Sequence, residues 1–394
     1  MDIRKLTSTR RLLVFSVAAA AVGGVAWSGH LALLALSVVF PPLCFLQDRR
    51  LGAYSVAAAY YGAASWPLIG VAGLFLGPGA STASGVLLWF AATALLAAPW
   101  PLLWSASPNS CLWRAPAAVL ASCVPPLCII GWASPLTAAG VLFPGTGWFG
   151  IVGVLALIGS LRVCPRPVIF AAAVLATAAN IVYPGDPAPP LGWEGVNTTF
   201  SGIGSDTDDP VVAFKAGEWL QQRALQSSAK VIVFPETVVP RWTAATDLFW
   251  EQTLAALAAS GKTVVIGAGL PIPNSTLYEN AVLVRGRSDP NSFLQRIPVP
   301  IGMWRPFGRS GVPLHLFGQS IISVGNRRAA VLICYEQLIT WPVLAATGTA
   351  SPDVLLAVTN DHWAPSRTLA TVQVRASEAW ARLFALPIVR AVNS

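Results

Sequence analysis

Long apolar runs fill the first half of the chain, and short apolar runs alternate with polar stretches in the second half. The change comes after Tyr183, where the sequence reads GDPAPPLGWEG. A helix needs about 20 mostly apolar residues to cross the hydrocarbon core of a bilayer. Seven segments qualify and predict a bundle of about seven transmembrane helices: 12–28, 31–47, 54–77, 84–104, 113–133, 136–161 and 167–183.

The second half has the pattern of an α/β domain. Short runs rich in β-branched residues predict strands at 195–200, 231–234, 263–270, 280–287, 320–325, 329–336, 353–361 and 386–393. Helical periodicity predicts helices at 211–227, 247–260 and 366–385, with Asp247 as the N-cap of the second helix. Alternating strands and helices predict a layered domain with strands inside and helices outside. The expected organisation is a transmembrane bundle over 1–183 and an α/β domain over 184–394.

Composition and charge agree with a membrane protein. Hydrophobic residues make up 55% of the chain and charged residues 11%, whereas about a quarter of the residues of a soluble domain are charged. The net charge is +8, but the first 183 residues carry nine basic and two acidic residues, and the rest of the chain is close to neutral. Because no basic cluster marks the second half, direct nucleic-acid binding is not expected.

The basic residues occur in alternate gaps between the predicted spans. They precede the first span and follow the second, fourth and sixth: Arg4, Lys5, Arg10, Arg11, Arg49, Arg50, Arg114, Arg162 and Arg166. This order predicts a cytoplasmic N-terminus and, after seven crossings, a second half on the outer face of the membrane. The first span also has the features of a signal peptide, but six further apolar segments favour an uncleaved helix.

Several other functions are disfavoured. No Asp, Glu, Lys or His lies centrally in a predicted span, which argues against a transporter. Gly267 and Gly269 follow a strand but lack a third glycine, so we expect a turn there and not a dinucleotide site. Neither a metal nor a cofactor is predicted, because no ligand spacing links the remaining candidates: Asp206, Asp208, Asp209, His315 and His362.

Two strand ends carry candidate chemistry. VIVFPET places Glu236 just after an apolar strand, and AAVLICYEQ places Cys334 at the end of another strand, followed by Tyr335 and Glu336. A carboxylate in a partly apolar site has a raised pKa and can take a thiol proton and later return it. Backbone N–H groups at a strand-to-helix junction can stabilise a thiolate or an oxyanion.

In this order and separation, the two strand ends resemble the nitrilase (carbon–nitrogen hydrolase) superfamily, whose triad is Glu, Lys and Cys. The match extends to the apolar bundle, to NDHWAP and to PIVRAVN. The whole chain resembles the membrane branch of that superfamily, which contains the apolipoprotein N-acyltransferases and, more closely, the TraB-type conjugal-transfer proteins of bacterial plasmids. The resemblance implies an αββα sandwich for the second half, a bacterial inner membrane for the bundle and a periplasmic location for the C-terminal domain.

The resemblance also implies roles for individual residues. Glu236 is the expected general base, Cys334 the nucleophile, Glu336 a supporting carboxylate and the Tyr335 N–H an oxyanion donor. The stretch that carries the lysine of the family corresponds to FLQRIPVPIGMWRPFG (293–308), which contains no lysine. Different alignments place Gln295, Arg296 or Ile301 at the lysine position, and we expect Arg296 to supply the positive charge.

Two functions follow from the resemblance. One is an inner-membrane acyl transferase or amidase that works through a thioester on Cys334, with a membrane lipid or acyl chain as its substrate. The other is a catalytically silent, membrane-anchored interaction module that contacts proteins of a conjugation machinery. The missing lysine favours the second function, as does the end of the chain at Ser394, where the acyltransferases continue with further strands and a last transmembrane helix.

Overall fold

The computed structural model describes residues 8–71, 76, 81–201, 209–361 and 367–394. The chain forms two compact units. The first unit comprises Met1–Asp186, Leu338–Trp341 and Pro365–Ala385, and the second comprises Pro187–Gln337, Pro342–Ala364 and Leu386–Ser394.

The first unit is helical. Its α-helices up to residue 186 are α1 Ser8–Ala26, α2 Phe40–Phe45, α3 Arg50–Ala64, α4 Thr82–Ala97, α5 Pro99–Leu103, α6 Cys111–Cys123, α7 Ala139–Leu142, α8 Trp148–Ser160 and α9 Pro165–Val182. Short 3-10 helices lie between them at Leu31–Val39, Trp66–Ile69, Leu127–Ile130 and Pro135–Ala138.

Three described helical stretches are long and apolar enough to cross a bilayer: Ser8–Ala26, Thr82–Leu103 and Pro165–Val182. Three more apolar stretches are shorter than a full crossing: Leu31–Phe45, Cys111–Cys123 and Trp148–Ser160. A helical N-terminal part with three candidate spans is therefore established. Part of the predicted 54–77 span lies outside the described residues, and seven crossings remain a prediction.

A buried aromatic cluster joins the helices of the first unit. The rings of Phe40 and Tyr60 stack with centroids 3.9 Å apart. The Tyr60 hydroxyl donates to the Ala133 carbonyl (3.0 Å) and accepts from the Trp27 indole (2.9 Å). These bonds satisfy polar atoms that cannot reach water. The helices of the cluster are therefore held by directional hydrogen bonds as well as by apolar contacts.

The described residues of the second unit form ten strands and two α-helices, together with most of a third. The strands are β1 Trp193–Gly195, β2 Val231–Val233, β3 Thr263–Pro271, β4 Thr276–Gly286, β5 Asn291–Leu294, β6 Ser310–Gly311, β7 Ile321–Val324, β8 Arg327–Ile333, β9 Val354–Asn360 and β10 Ile388–Asn393. The helices are α10 Pro210–Gln226, α11 Ala244–Ala259 and α12 Trp341–Thr349, whose first residue belongs to the first unit.

The strands form two sheets. The first sheet has the order β1-β2-β3-β4-β5, with β6 paired to β4, and the second has the order β10-β9-β8-β7. β1, β2 and β3 are parallel, as are β8, β9 and β10. The carboxyl end of a parallel strand is where α/β folds usually place functional side chains, and β2, β8 and β9 each end at such a position.

Alternating side chains build two apolar layers around the first sheet. Val233 and Val265 face inward with Val331 and Val358 of the second sheet, which forms a core between the sheets. Side chains of the opposite parity pack with helices α10 and α11, through residues such as Leu220 and Trp250. This period-two pattern places the second sheet on one face of the first sheet and helices on its other face.

The last helix, α13 Arg367–Leu383, belongs to the first unit. Trp380 and Leu383 are buried there, and the Arg382 carbonyl accepts from the Gly145 N–H at 2.8 Å. The sequence correctly predicts a helix over 366–385. It does not reveal that this helix packs with the helices of the first half.

Several local predictions need correction. The predicted strand 195–200 is limited to Trp193–Gly195, followed by an isolated bridge between Thr198 and Asn393. The N-cap of α11 is Thr243, which forms a capping box, and Asp247 instead accepts from the indole of Trp242 at 2.6 Å. β5 and β6 were not predicted, because their short runs lack apolar alternation.

Candidate functional site

Glu236 is positioned by a close crossing of backbones. It follows β2 and lies against Gly267 of β3, where a Cβ atom would come within 2.2 Å of the Pro235 carbonyl oxygen and 2.5 Å of the Glu236 Cα. Only glycine permits that approach. The expected turn at Gly267 and Gly269 is therefore wrong: both glycines lie inside a strand. Gly267 brings the Glu236 backbone close to the sheet.

The Glu236 carboxylate is buried and bound on both oxygens. Oε1 accepts from the Asn280 side-chain amide at 2.6 Å, and Oε2 accepts from the Asn360 backbone N–H at 2.9 Å. The Cys334 thiol donates a further hydrogen bond to this carboxylate. The structure thus brings the predicted base and the predicted nucleophile into direct contact.

Burial raises the pKa of Glu236 to about 7, although the bonds from Asn280, Asn360 and Cys334 oppose that rise. Asp361 adds a smaller effect, because its negative charge further disfavours ionisation of Glu236. A carboxyl with a pKa near neutrality exchanges protons readily at physiological pH.

Cys334 directly follows β8 and has a left-handed backbone conformation with φ of +50°. Non-glycine residues rarely adopt this region, and such strain is common where a side chain is aimed at a reaction site. Burial raises the pKa of the thiol well above its usual value, and the charges of Glu236 and Asp361 raise it further. The Tyr335 backbone N–H bonds to the sulfur and opposes these effects. The resting group is therefore a protonated thiol.

The side chain of Gln295 lies next to that of Glu236, the predicted base. Its Oε1 accepts from Asn280 at 2.9 Å, and the same amide group of Asn280 donates to Glu236. Its Nε2 donates to the Ile333 carbonyl at 3.1 Å, one residue before Cys334. Gln295 therefore links the chain segments that carry both reactive groups. Of the alignments considered, the one that puts Gln295 at the lysine position agrees with this placement.

The guanidinium of Arg296 binds groups other than Glu236 and Cys334. It donates to the Pro342 carbonyl at 2.8 Å and to the Ser320 hydroxyl at 3.4 Å. Burial lowers its pKa, and the nearby Glu336 carboxylate opposes that change. The hydrogen bonds of Arg296 thus differ from those expected for a replacement of the lysine, because none goes to Glu236 or Cys334 among the described residues.

Glu336 connects the backbone around Cys334 to the chain segment at Arg296 and Ile297 through hydrogen bonds. Its Oε1 accepts from the backbone N–H groups of Arg296 (2.7 Å) and Ile297 (3.1 Å), and its Oε2 accepts from the Ile333 N–H (2.9 Å). Burial raises its pKa, and Arg296 and these backbone bonds oppose the rise. Its contacts are those of a carboxylate that holds the backbone around Cys334.

Three neighbours of the site were not predicted from the sequence. Asp361 follows β9, and burial raises its pKa to about 6. Asn360 and Asn280 bind Glu236 directly. Each of the three has a signal in the sequence. Asn280 is a polar residue inside the apolar strand β4, and Asn360 and Asp361 are polar residues at the end of the apolar strand β9. Residues 362–366, which include His362, lie outside the described residues, as do Asp206 and Asp208; Asp209 caps α10.

This arrangement combines a thiol, a carboxyl of near-neutral pKa and a backbone N–H at the thiol sulfur. It can perform proton transfer between sulfur and carboxylate. The described residues contain no group of three or more His, Cys, Asp or Glu side chains that could hold a metal ion.

Two curated relatives match nearly the whole chain. The Probable conjugal transfer protein TraB of Sinorhizobium fredii is 34% identical over 398 residues, which cover 97% of this chain and 98% of that protein. The Conjugal transfer protein TraB of Agrobacterium fabrum is 32% identical, with 99% and 95% covered.

A more distant relative matches part of the chain. The Apolipoprotein N-acyltransferase of Pseudomonas syringae pv. tomato is 28% identical over 172 residues, which cover 38% of this chain and 33% of that protein. No protein-family model matches the chain. The predicted resemblance is confirmed by these relatives, and the two matches over nearly the full length show that the chain belongs to the TraB family of conjugal transfer proteins.

Proposed function

We propose that this TraB-family membrane protein serves conjugal transfer as a cysteine-dependent acyl transferase or amidase with a nitrilase-like second unit. The observation that carries the proposal is the hydrogen bond from the Cys334 thiol to Glu236, whose pKa is about 7. The two-sheet architecture and the similarity to the acyltransferase support the interpretation of this unit as an αββα sandwich.

The reaction begins with a neutral thiol and an ionised carboxyl. Glu236 takes the thiol proton while Sγ of Cys334 forms a bond to the acyl carbonyl carbon. The Tyr335 N–H lies beside the sulfur and donates to the developing oxyanion. Glu236 then gives its proton to the leaving group, and a thioester remains on Cys334.

The second half of the reaction returns the site to its starting state. An amine or water attacks the thioester carbonyl, and Glu236 takes the proton of the attacking group. The C–S bond breaks, and the same proton passes from Glu236 to the sulfur. We propose an acyl chain of a membrane lipid as the donor group, because the chain also carries helices that are apolar enough to cross a bilayer.

Mass spectrometry of the full chain reconstituted with phospholipid tests this chemistry. We expect an acyl adduct on Cys334 that hydroxylamine removes, and no adduct on the exposed Cys164. Glu236→Gln should abolish the adduct, whereas Glu251→Gln, a charge-matched change in helix α11, should leave it intact. A folded wild-type protein without a thioester on Cys334 contradicts the proposal.

The second candidate function is a silent nitrilase-like module that contacts conjugation proteins. The observation in its favour is Gln295, a neutral amide bound to Asn280 and to the Ile333 carbonyl, where the nitrilase triad has a lysine. Plasmid transfer by Cys334→Ala and Glu236→Gln strains separates the two functions. Transfer at the wild-type level in both strains, with normal membrane amounts, favours the module.

We also propose an N-in inner-membrane topology with seven crossings and a periplasmic second unit. Two contacts support it, because each joins segments that the charge pattern assigns to the cytoplasmic side. Arg11 pairs with Asp48, and the Arg162 guanidinium donates to the carbonyls of Ser105 and Ala106, both at 2.9 Å.

Thiol labelling in intact cells tests this topology. Cys164 is exposed next to Arg162 and should react with a membrane-impermeant maleimide only after the inner membrane is permeabilised. A cysteine at Asn326, in the exposed turn between β7 and β8, should react before permeabilisation. The reverse order of labelling would overturn the assigned orientation.

A further inference from the structure

The segment 299–319 in the second unit combines exposed apolar side chains with positive charge. Phe307 is fully exposed, Phe317 is 80% exposed and Ile301 is 42% exposed. Arg305 and Arg309 lie between them and are exposed as well. Large apolar side chains grouped at a surface with basic residues are typical of a surface that meets a lipid headgroup region.

Along the sequence, the charge of this region has one sign, and the acidic Glu279 of β4 pairs with His315 at 2.9 Å, away from the arginines in the sequence. Between Asp289 and Glu336 the sequence contains five arginines and no acidic residue. Arg296 is buried, and Arg328 pairs with Asp353, so Arg305 and Arg309 provide the exposed charge of the 299–319 segment. Two exposed arginines complement an anionic surface.

The exposed side chains extend from an ordered backbone. The Val312 N–H donates to the Met303 carbonyl at 2.9 Å, and the His315 N–H donates to the Arg296 carbonyl at 2.8 Å. Val312 is buried, and β6 pairs with β4. These bonds hold the segment in place, so the exposure of Phe307 and Phe317 does not come from loose chain ends.

Ile301 adds a second, independent observation. Its φ is +69°, a left-handed conformation that is a genuine outlier for a β-branched residue. This conformation is unfavourable for an L-residue with a branched Cβ, and glycine would adopt it freely. A large, partly exposed apolar side chain in place of glycine indicates that the side chain itself is used.

We propose that the 299–319 segment is a membrane-contact loop, whose apolar side chains enter the interface of a bilayer and whose Arg305 and Arg309 bind the phosphates of anionic lipids. The bilayer is the expected partner because the chain carries apolar helices of crossing length. Only residues 183–192 separate helix α9 from strand β1, and ten extended residues span at most about 35 Å. This inference does not depend on the chemistry of Cys334.

Lipid quenching of a fluorescent label tests the loop in the full chain. The label is attached to Pro306→Cys in a Cys164→Ser background, which keeps Phe307 in place, and the matched control site is Asn326→Cys. Both proteins are placed in nanodiscs of phosphatidylcholine with phosphatidylglycerol, with or without brominated acyl chains. The signal of the background protein without an added cysteine is subtracted.

We expect bromine to quench the label at 306 several-fold more than the label at 326. Adding Phe307→Ser should remove most of that difference, because the apolar anchor is lost. Adding Arg305→Gln and Arg309→Gln should weaken quenching, as should nanodiscs of phosphatidylcholine alone. Unchanged elution of each variant on size-exclusion chromatography verifies that these exposed substitutions leave the fold intact.

Three results would contradict the inference. Equal lipid quenching at 306 and 326, with both labels open to aqueous iodide, excludes contact with the bilayer. Quenching at 306 that is the same with and without anionic lipid removes the assigned role of Arg305 and Arg309. A label at 306 that is shielded from both quenchers indicates contact with protein, such as a second copy of the chain, and also contradicts the proposal.

Discussion

Glu236 and Glu336 each follow a strand of the second unit, and both carboxyl groups are buried. Glu336 accepts from three backbone N–H groups, whereas Glu236 accepts from one backbone N–H, one side-chain amide and a thiol. Backbone donors cannot move without moving the fold, and a thiol proton can be transferred. Two similar carboxylates are thus suited to different tasks, one structural and one chemical.

Removing Glu336 should have the largest effect. Glu336→Ala leaves three buried backbone N–H groups without an acceptor, each of which costs about 1–3 kcal/mol. We expect a loss of several kcal/mol, visible as a marked fall in thermal midpoint of the detergent-purified chain and in its membrane amount. A matched Glu236→Ala variant should be clearly more stable than Glu336→Ala. Equal losses would remove the distinction between the two carboxylates.

The pH dependence of stability should follow Glu236. Its pKa rises on folding from 4.5 to about 7, so the folded state binds the proton more tightly than the unfolded chain. The contribution of this group to the free energy of unfolding is complete below about pH 4.5. It falls by roughly 3 kcal/mol as the pH rises through 7. Glu236→Gln should flatten this part of the profile of thermal midpoint against pH.

The exposed Glu251→Gln in helix α11 is the control for that profile. It should leave the slope between pH 4.5 and 7 unchanged. A wild-type protein whose thermal midpoint rises steadily over the same range would show that Glu236 is not held in its protonated form by burial.

Restoring a lysine beside Glu236 should change the reactivity of Cys334. In Gln295→Lys, an ammonium near the thiol lowers the pKa of the thiol, and one pKa unit corresponds to a factor of about 10 in thiolate at a fixed pH. We expect alkylation of Cys334 by iodoacetamide at pH 7 to become about tenfold faster, measured by peptide mass spectrometry. Gln295→Met, which is neutral and of similar size, should not accelerate it.

Asp361 should have the smallest effect. Its charge raises the pKa of both Glu236 and Cys334. Asp361→Asn therefore lowers both pKa values, and we expect alkylation of Cys334 to become faster by a factor of a few. The midpoint of the pH profile of stability should shift slightly to lower pH. A slower reaction of Cys334 in this variant would contradict the electrostatic role of Asp361.

Elements with a regular amphipathic or alternating pattern were predicted well, whereas three of the long apolar segments form helices shorter than a full crossing. The α/β alternation and the helices over 211–227, 247–260 and 366–385 agree closely with the observed helices. Local pattern is sufficient for such elements, because each one buries a face with a regular period. Boundaries set by single hydrogen bonds, such as the cap at Thr243, were not predicted.

The site was predictable only in part, for a physical reason. Glu236 and Cys334 stand at strand ends, and a buried polar residue at such a position is visible in the sequence. The choice between Gln295 and Arg296 is not visible, since both directly follow β5 and a shift of one residue in the alignment exchanges them. The hydrogen bonds of Gln295 with Asn280 and with the Ile333 carbonyl distinguish the two.

The amino-acid sequence by itself determined the apolar first half, the charge order that predicts its orientation and the absence of a lysine between Lys262 and Ser394. These are properties of composition and local order. The tertiary structure alone decided that Glu236 meets Asn280 and Asn360 and that Glu336 meets backbone. The physical reason is that their partners lie on separate strands and loops, and only packing of the two sheets sets which donors reach each carboxylate.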